Sequence, residues 1–280
     1  MKLVIAMPGK EELQRRFWDE AIIGQGLDAD VSLQANSPIG RDRGNYMNFP
    51  EDWVGRNLDE VAVAMHARVR HLIDTRWTPK TYSNIYVDYE PRRYGPDRET
   101  IIERWTLNVL RNGFESHDVA FLNKLIDGAH EASDGLPVSL YSLPRLTKGP
   151  IEPRDYRNMS SARGFTDKLD WLWLNGYATG NDDRDFLDRE NISEHYQRIR
   201  TGTMALRKTG KDVVPFVWPS YKMTPAESKQ YNTPTIYMLA AQGHQKLGIW
   251  VDLNHEGPTN TQIENMIAIA PHLRAWMETE

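Results

Sequence analysis

Seven short apolar runs recur along the chain, separated by segments with helical spacing or by polar loops. The runs cover residues 3–7, 30–35, 84–90, 137–142, 170–177, 213–218 and 247–253. They are nearly continuous rather than alternating, which is typical of parallel strands that are covered on both faces. The pattern therefore predicts a parallel sheet, of which seven strands can be recognised in the sequence.

Helical patterns occupy most of the gaps between these runs. Residues 57–75 carry apolar side chains at three- and four-residue steps, with Asp59 and Glu60 in the first turn. Similar spacing predicts helices at 97–112, 118–132, 193–209 and about 261–277, and Pro271 is expected to interrupt the last of these. Thr224 and Glu227 form a capping box, with Pro225 at the first helical position of another helix.

Strands that alternate with helices describe βα units. A closed barrel is favoured over an open sheet because Met7-Pro8-Gly9-Lys10-Glu11 stands where a dinucleotide-binding fold has its glycine-rich turn. The 280 residues also suit one barrel of roughly 250 residues. We predict an α/β fold, a TIM-like (β/α) barrel of seven or eight parallel strands, as a single catalytic domain over residues 1–280.

The composition of the chain argues against nucleic acid as a binding partner. The net charge is −5, from 34 basic and 39 acidic residues, and there is no long basic run that would bind phosphates. The chain has no cysteine, so disulfides and thiolate metal sites are excluded. The apolar stretch at the N-terminus is too short for a signal sequence or a membrane span. We expect no membrane association, no metal and no cofactor, and a location that is either cytoplasmic or, after processing, secreted or periplasmic.

Two carboxylates end the third apolar run. Asp88 and Glu90 are two residues apart and Pro91 follows, so on a strand both would point to one face. Barrel enzymes place catalytic groups at this end of a strand. Repulsion and partial burial should raise the pKa of one of the two, and Glu90 lies further towards the barrel mouth. In the alternative interpretation, the pair binds Arg92 and Arg93 at a solvated strand end.

The sequence around this pair resembles a known family. The run Ile85-Tyr86-Val87-Asp88-Tyr89-Glu90-Pro91-Arg92 resembles the Asp-x-Glu strand end of the hyaluronidase family of glycoside hydrolases. Residues 137–144, 170–177, 213–218 and 243–251 resemble later strands of that family in the same order.

The resemblance implies roles for individual residues. By position, Glu90 is the general acid/base. Asp88 holds the acetamido group of the substrate, whose carbonyl oxygen then attacks the anomeric carbon of the same sugar. Tyr177 is a hydrogen-bond donor near the reacting sugar. Asp252 aligns with a tryptophan of the family, and it is also the first candidate for a second catalytic carboxylate. The predicted substrate-binding residues are Tyr141, Trp218, Trp250, Asp252 and Asn175.

Other residues give weaker signals. Aromatic residues near strand ends can stack on sugars or fill the core: Tyr89, Tyr141, Trp173, Tyr177, Trp218, Tyr221 and Trp250. His195, His244 and His255 fall in or near loops and helix ends, and we expect them at the surface or in caps rather than in catalysis.

The leading hypothesis is a glycoside hydrolase that cleaves a polysaccharide or oligosaccharide, with N-acetylhexosamine-containing glycans as one candidate. It is retaining and substrate-assisted, so no protein nucleophile is needed across the sugar ring. One alternative resembles muramidases, which carry Asp-x-Glu on a short barrel and cleave peptidoglycan. The other is a carbohydrate-binding barrel without activity. In each case the partner is a glycan.

Overall fold

The structure is a computed structural model. It describes residues 1–7, 9–36, 50–89, 109, 112–141, 162–174, 189–220, 223–251 and 258–279, with side chains left undescribed at 189–195 and 198.

Within these residues, parallel strands close into a barrel in chain order, which confirms the predicted fold class. The strands are β1 (Lys2–Ala6), β2 (Ala29–Asn36), β3 (Asn84–Asp88), β4 (Val138–Tyr141), β5 (Trp171–Leu174), β6 (Asp212–Val217) and β7 (Lys246–Trp250). Each pairs in parallel with the next, and β7 pairs with β1 to close the ring. The carboxyl ends of all these strands therefore meet at one rim.

Helices surround the barrel. They are α1 (Glu11–Phe17), α2 (Asp59–Thr75), α3 (Ser116–Ala132), α4 (Arg163–Thr166), α5 (Arg189–Arg207), α6 (Pro225–Ala241) and α7 (Asn260–Met277). A π-helical turn (Trp18–Ile22) and a 3₁₀ turn (Ile23–Gln25) continue α1, and another 3₁₀ turn (Pro50–Trp53) precedes α2. The capping box predicted for α6 is present, because the Thr224 backbone N–H donates to Glu227 at 2.8 Å.

The structure differs from the sequence expectations in several helices. Helix α7 continues through Pro271 instead of being interrupted there. Helix α3 begins at Ser116 rather than 118, and the backbone N–H of Glu115 donates to Asp118 at 2.9 Å. Helix α1 was not predicted, since its seven residues are too short for a clear period. Most of the predicted helix at 97–112 lies outside the described residues.

The two faces of the strands differ more than the sequence suggested. Aliphatic side chains such as Ile85, Val87 and Leu140 point outward and pack in one large core beneath the helices. Polar and aromatic side chains point inward, including Gln34, Asn84 and Ser139, all of which are buried. The strands thus alternate more than a continuous apolar run implies, and the barrel interior is where their polar residues lie.

Aromatic rings fill the middle of the barrel. Trp173 and Phe216 stack with ring centroids 4.3 Å apart at 9°, and Tyr86 packs against both. Gly248 makes this possible, because a Cβ there would lie 2.5 Å from Cζ3 of Trp173 and 2.6 Å from Cδ1 of Phe216. At the opposite end from the carboxyl rim, the Lys246 ammonium lies 4.0 Å from the Trp171 ring centroid. The interior is therefore a packed core rather than a channel.

Candidate functional site

Asp88 is the last residue of β3 and lies at the carboxyl rim of the barrel. Its side chain shares the inward face of Tyr86, two residues earlier, and is only 7% exposed. Burying a carboxylate is costly unless hydrogen bonds compensate for lost water. A buried acid at this position is therefore a candidate functional group.

Tyr89, the next residue, turns the opposite way. It is 1% exposed and packs against Phe121 of α3, with ring centroids 5.6 Å apart. Burial, followed by the nearby carboxylates of Asp118, Asp52 and Glu51, raises the pKa of Tyr89 well above its ordinary value. This ring anchors the chain immediately after Asp88, so Tyr89 belongs to the core rather than to a sugar-binding surface.

Gln34 of β2 donates a hydrogen bond to Asp88. Its Nε2 lies 2.7 Å from Oδ2 of Asp88, and the glutamine side chain is buried. A hydrogen bond to a carboxylate favours its ionised form and fixes its orientation. Asp88 is thus held by a neutral donor from the adjacent strand.

Three of the predicted substrate-binding aromatics lie around the same rim. Tyr141 ends β4 and pairs in register with Asp88, while Trp250 ends β7 and Trp218 directly follows β6. All three belong to the inward-facing cluster and are at most 7% exposed. Tyr86 packs below them, with its ring centroid 5.9 Å from that of Tyr141 and 6.1 Å from that of Trp250. The structure therefore places Asp88 and these aromatics at the same rim of the barrel.

The indole of Trp250 has an unused donor. Its Nε1 is buried and has no acceptor among the described residues. A buried N–H without an acceptor is costly, so such a group is suited to donating to a ligand oxygen.

A hydrogen-bonded layer supports this rim from below. The hydroxyl of Ser139 accepts from Nδ2 of Asn84 at 2.9 Å and from Nε1 of Trp173 at 2.7 Å, and it donates to the Ile85 carbonyl at 3.1 Å. Every hydrogen-bonding position of this hydroxyl is used. The floor under Asp88 is therefore rigidly specified.

The remaining predicted site residues lie outside the described residues. They are Glu90, Tyr177, Asn175 and Asp252. The pairing of Glu90 with Asp88 stays a prediction, and β3 itself ends at Asp88. Tyr221 and His255 are also outside, and Trp173 lies within the aromatic core.

Sequence reasoning missed Gln34 and the central position of Tyr86. The signal was available in β2, where Ser32, Gln34 and Asn36 alternate with apolar residues. Polar residues at a period of two mark one face of a strand, and in a closed barrel that face points inward.

The described residues contain neither a cluster of metal-binding side chains nor a membrane-spanning helix. No group of three or more histidine, aspartate or glutamate side chains there is arranged to hold a metal ion. None of the helices in the described ranges combines the length and apolar character needed to cross a membrane.

Comparison with known proteins shows the same architecture elsewhere. The structure of bee venom hyaluronidase has a TM-score of 0.62 and 14% sequence identity, covering 100% of this chain and 98% of that chain. The catalytic domain of a family GH18 chitinase from the fern Peteris ryukyuensis has a TM-score of 0.51 and 10% identity, covering 97% of this chain and 99% of that one. The sequence matches no protein-family model and no curated protein. At these identities the likeness establishes the barrel fold.

Proposed function

We propose that this protein is a glycoside hydrolase that cleaves a polysaccharide or oligosaccharide containing N-acetylhexosamine. Glu90 is the general acid/base, and Asp88 holds the acetamido group whose carbonyl oxygen attacks the anomeric carbon. This retaining, substrate-assisted route needs no protein nucleophile across the sugar ring.

The observation that carries this proposal is the buried carboxyl group of Asp88 at the carboxyl rim. It accepts a hydrogen bond from the Gln34 amide at 2.7 Å, and it ends its strand at the same rim as Tyr141, Trp218 and Trp250. An ionised carboxylate in these surroundings is a strong acceptor for a substrate N–H. A barrel enzyme places its chemistry at this rim.

Aromatic side chains and the fold support a glycan as the substrate. Aromatic rings that carry a polar group bind both the faces and the hydroxyls of sugars. Nε1 of Trp250, which has no acceptor among the described residues, supplies one such donor. The bee venom hyaluronidase and the fern chitinase share this barrel fold. Fold alone does not fix chemistry, so the carboxylates carry the argument.

Glu90 takes the role of proton donor from its place in the sequence. It follows Asp88 by two residues and is followed by proline. The buried ring of Tyr89 between them fixes the start of this segment. Protonation of the leaving oxygen requires a carboxylic acid within hydrogen-bond reach, and Glu90 is the acid nearest to Asp88 in sequence.

The test is release of reducing ends from hyaluronan, chitin oligosaccharides, peptidoglycan and a glucan without acetamido groups. We expect the parent to cleave one or more of the acetamido-containing glycans and to leave the glucan intact. Asp88→Asn should lower turnover by ~10²-fold, because the acetamido group loses its orienting partner. Asp212→Asn is the matched control, since this exposed aspartate begins β6 at the opposite end of the barrel.

Two outcomes would contradict the proposal. Glycan binding without cleavage of any glycan in the panel would make the protein a carbohydrate-binding barrel. Equal turnover by the parent and Asp88→Asn would remove Asp88 from the reaction.

A further inference from the structure

Gln34 is a buried polar residue with no role in the reaction proposed above. It is 4% exposed, on the inner face of β2, and its Nε2 donates to Asp88 at 2.7 Å. Its Oε1 is buried and has no donor among the described residues. Burying an amide oxygen without a donor costs free energy, so the hydrogen bond from the Nε2 end to Asp88 is the interaction that a glutamine adds at this position.

The backbone of Gln34 is fixed as well. Nη1 of Arg76 donates to the Gln34 carbonyl at 3.0 Å, and burial lowers the pKa of this guanidinium. Residues Ser32 to Asn36 pair in register with Asn84 to Asp88, so the two strands hold the amide at one height relative to the carboxylate. The donor is thus presented by a rigid sheet rather than by a loop.

We propose that Gln34 is a positioning residue, which holds the Asp88 carboxylate in its ionised form and in one orientation for the substrate. The inference rests on the proposed function for the meaning of Asp88, but its geometry is independent of that function. A neutral amide suits this task because it donates a hydrogen bond without adding a charge that would compete with the substrate for the carboxylate.

The experiment compares Gln34→Met, Gln34→Glu and Ser32→Ala with the parent. Methionine nearly matches the volume of glutamine but donates no hydrogen bond, so the fold should be retained. Ser32→Ala is the matched control, because Ser32 is two residues deeper on the same strand face and its buried Oγ has no partner among the described residues.

The first readout is a ¹³C NMR titration of aspartate carboxyls, with the Asp88 signal assigned by its loss in Asp88→Asn. We expect the titration midpoint of that carboxyl to rise by about one pH unit or more in Gln34→Met, because a hydrogen bond that favours the anion has been lost. The midpoint should be unchanged in Ser32→Ala. An unchanged midpoint in Gln34→Met overturns the inference, whether or not the protein cleaves glycans.

The second readout is the pH–rate profile. At low pH the carboxyl introduced by Gln34→Glu is protonated and can donate to Asp88, so activity should be restored relative to Gln34→Met. At higher pH both carboxyls ionise and repel, so activity should fall by tenfold or more. Among the described residues, the titratable side chains on the inner face around Asp88 are Tyr86 and Tyr141. They are the same in all variants, so a difference in profile between Gln34→Met and Gln34→Glu reports the new carboxyl.

The outcomes separate the two proposals. Absence of glycosidase activity in the parent, with a shifted NMR midpoint in Gln34→Met, contradicts the function and supports the positioning role. Activity that depends on Asp88 but has the same kcat and pH profile in Gln34→Met and Gln34→Glu contradicts the positioning role alone.

Discussion

At the level of single residues, the buried His244 links the stability of the barrel to pH. Its side chain is 2% exposed, Nδ1 lies 2.9 Å from the Val213 carbonyl, and Nε2 lies 3.4 Å from Oγ1 of Thr203. Burial, aided by the charge of Arg207, lowers the pKa of His244 to about 4, although the bond to Val213 acts in the opposite direction. The expectation of a surface or capping histidine was therefore wrong, because this imidazole fills a buried position between helix and sheet.

The sign of the effect follows from proton binding. The unfolded chain binds a proton on this histidine near its ordinary pKa of 6.5, and the folded protein binds it only near 4. Stability from the neutral imidazole is fully present above pH 6.5 and is lost as the pH falls from 6.5 to 4, by on the order of 3 kcal/mol.

We expect His244→Asn, which retains an N–H donor for Val213, to remove this contribution to the pH dependence. Urea unfolding of both proteins at pH 7 and pH 4.5 measures this contribution. It is the loss in the free energy of unfolding between the two pH values for the parent, minus the same loss for the variant. Parallel pH curves for the two proteins would show that His244 does not titrate across folding.

Individual residues also differ in how far their roles could be predicted from the sequence. Asp88 could be predicted as a site residue because a charged side chain just inside the end of an apolar strand is costly to bury and therefore suggests a function. Gln34 could not be assigned, because its partner is 54 residues away in the chain and the contact depends on strand register. His244 was misjudged because the depth of a short connection depends on tertiary packing.

At the level of elements, two helical asparagines hold the segment that follows β6. Nδ2 of Asn265 in α7 donates to the carbonyls of Ser220 and Met223, at 2.5 and 2.8 Å. Nδ2 of Asn232 in α6 donates to the Trp218 carbonyl at 3.3 Å. Both asparagines are buried, so the position of Trp218 at the rim depends on helices outside the barrel.

Asn265→Ala should lower the free energy of unfolding by about 2 to 4 kcal/mol, since two buried carbonyls lose their donor. Chemical denaturation measures this change. Asn123→Ala is the control, because Asn123 is only half-buried and makes one hydrogen bond to a carbonyl, that of Gly164, so the variant should lose under about 1.5 kcal/mol. Equal losses for both variants would contradict the anchoring role.

The aromatic layer depends on one glycine in β7. Gly248→Ala should destabilise the protein by about 1 to 3 kcal/mol, because the new Cβ would overlap Trp173 and Phe216. Adding Phe216→Leu should relieve part of that overlap, so the double variant is expected to lose less than the sum of the single losses. Additive losses in urea unfolding would show that the strain lies elsewhere.

The elements themselves were largely predictable. All seven predicted strands form, and where the structure describes both predicted ends, as for β1, β2 and β6, each bound differs by one residue. Helices with clear three- and four-residue spacing, such as α2, were also correct. The continuation of α7 through Pro271 was not predictable from the local preference, because packing of α7 against α6 outweighs it.

At the level of the whole molecule, the two ends of the chain are joined. Strand β1 pairs with β7 along its whole length, and the N-terminal ammonium donates to the Met277 carbonyl at 3.2 Å. Arg274 donates to the Gln25 carbonyl, and Arg16 binds Asn260. Because β1 and β7 close the barrel, unfolding of either strand would expose the barrel interior.

We therefore expect a single cooperative unfolding transition, in keeping with the predicted single domain. Far-UV circular dichroism and the fluorescence of the interior tryptophans should change at the same urea concentration. Separate midpoints for the two signals would indicate independently folding units.

If Glu90 donates a proton to the leaving oxygen, the effect of replacing it must depend on how much the leaving group needs that proton. The measurement is kcat/KM, which reports cleavage of the glycosidic bond and not the later step in which Glu90 acts as a base. It is compared for the parent and Glu90→Gln on a natural acetamido-containing oligosaccharide and on the matching dinitrophenyl glycoside. We predict that Glu90→Gln lowers kcat/KM by ~10²-fold or more on the oligosaccharide and much less on the dinitrophenyl glycoside, whose leaving group needs no proton. Equal losses on both substrates, or a kcat/KM on the oligosaccharide above a tenth of the parent value, would contradict this role of Glu90.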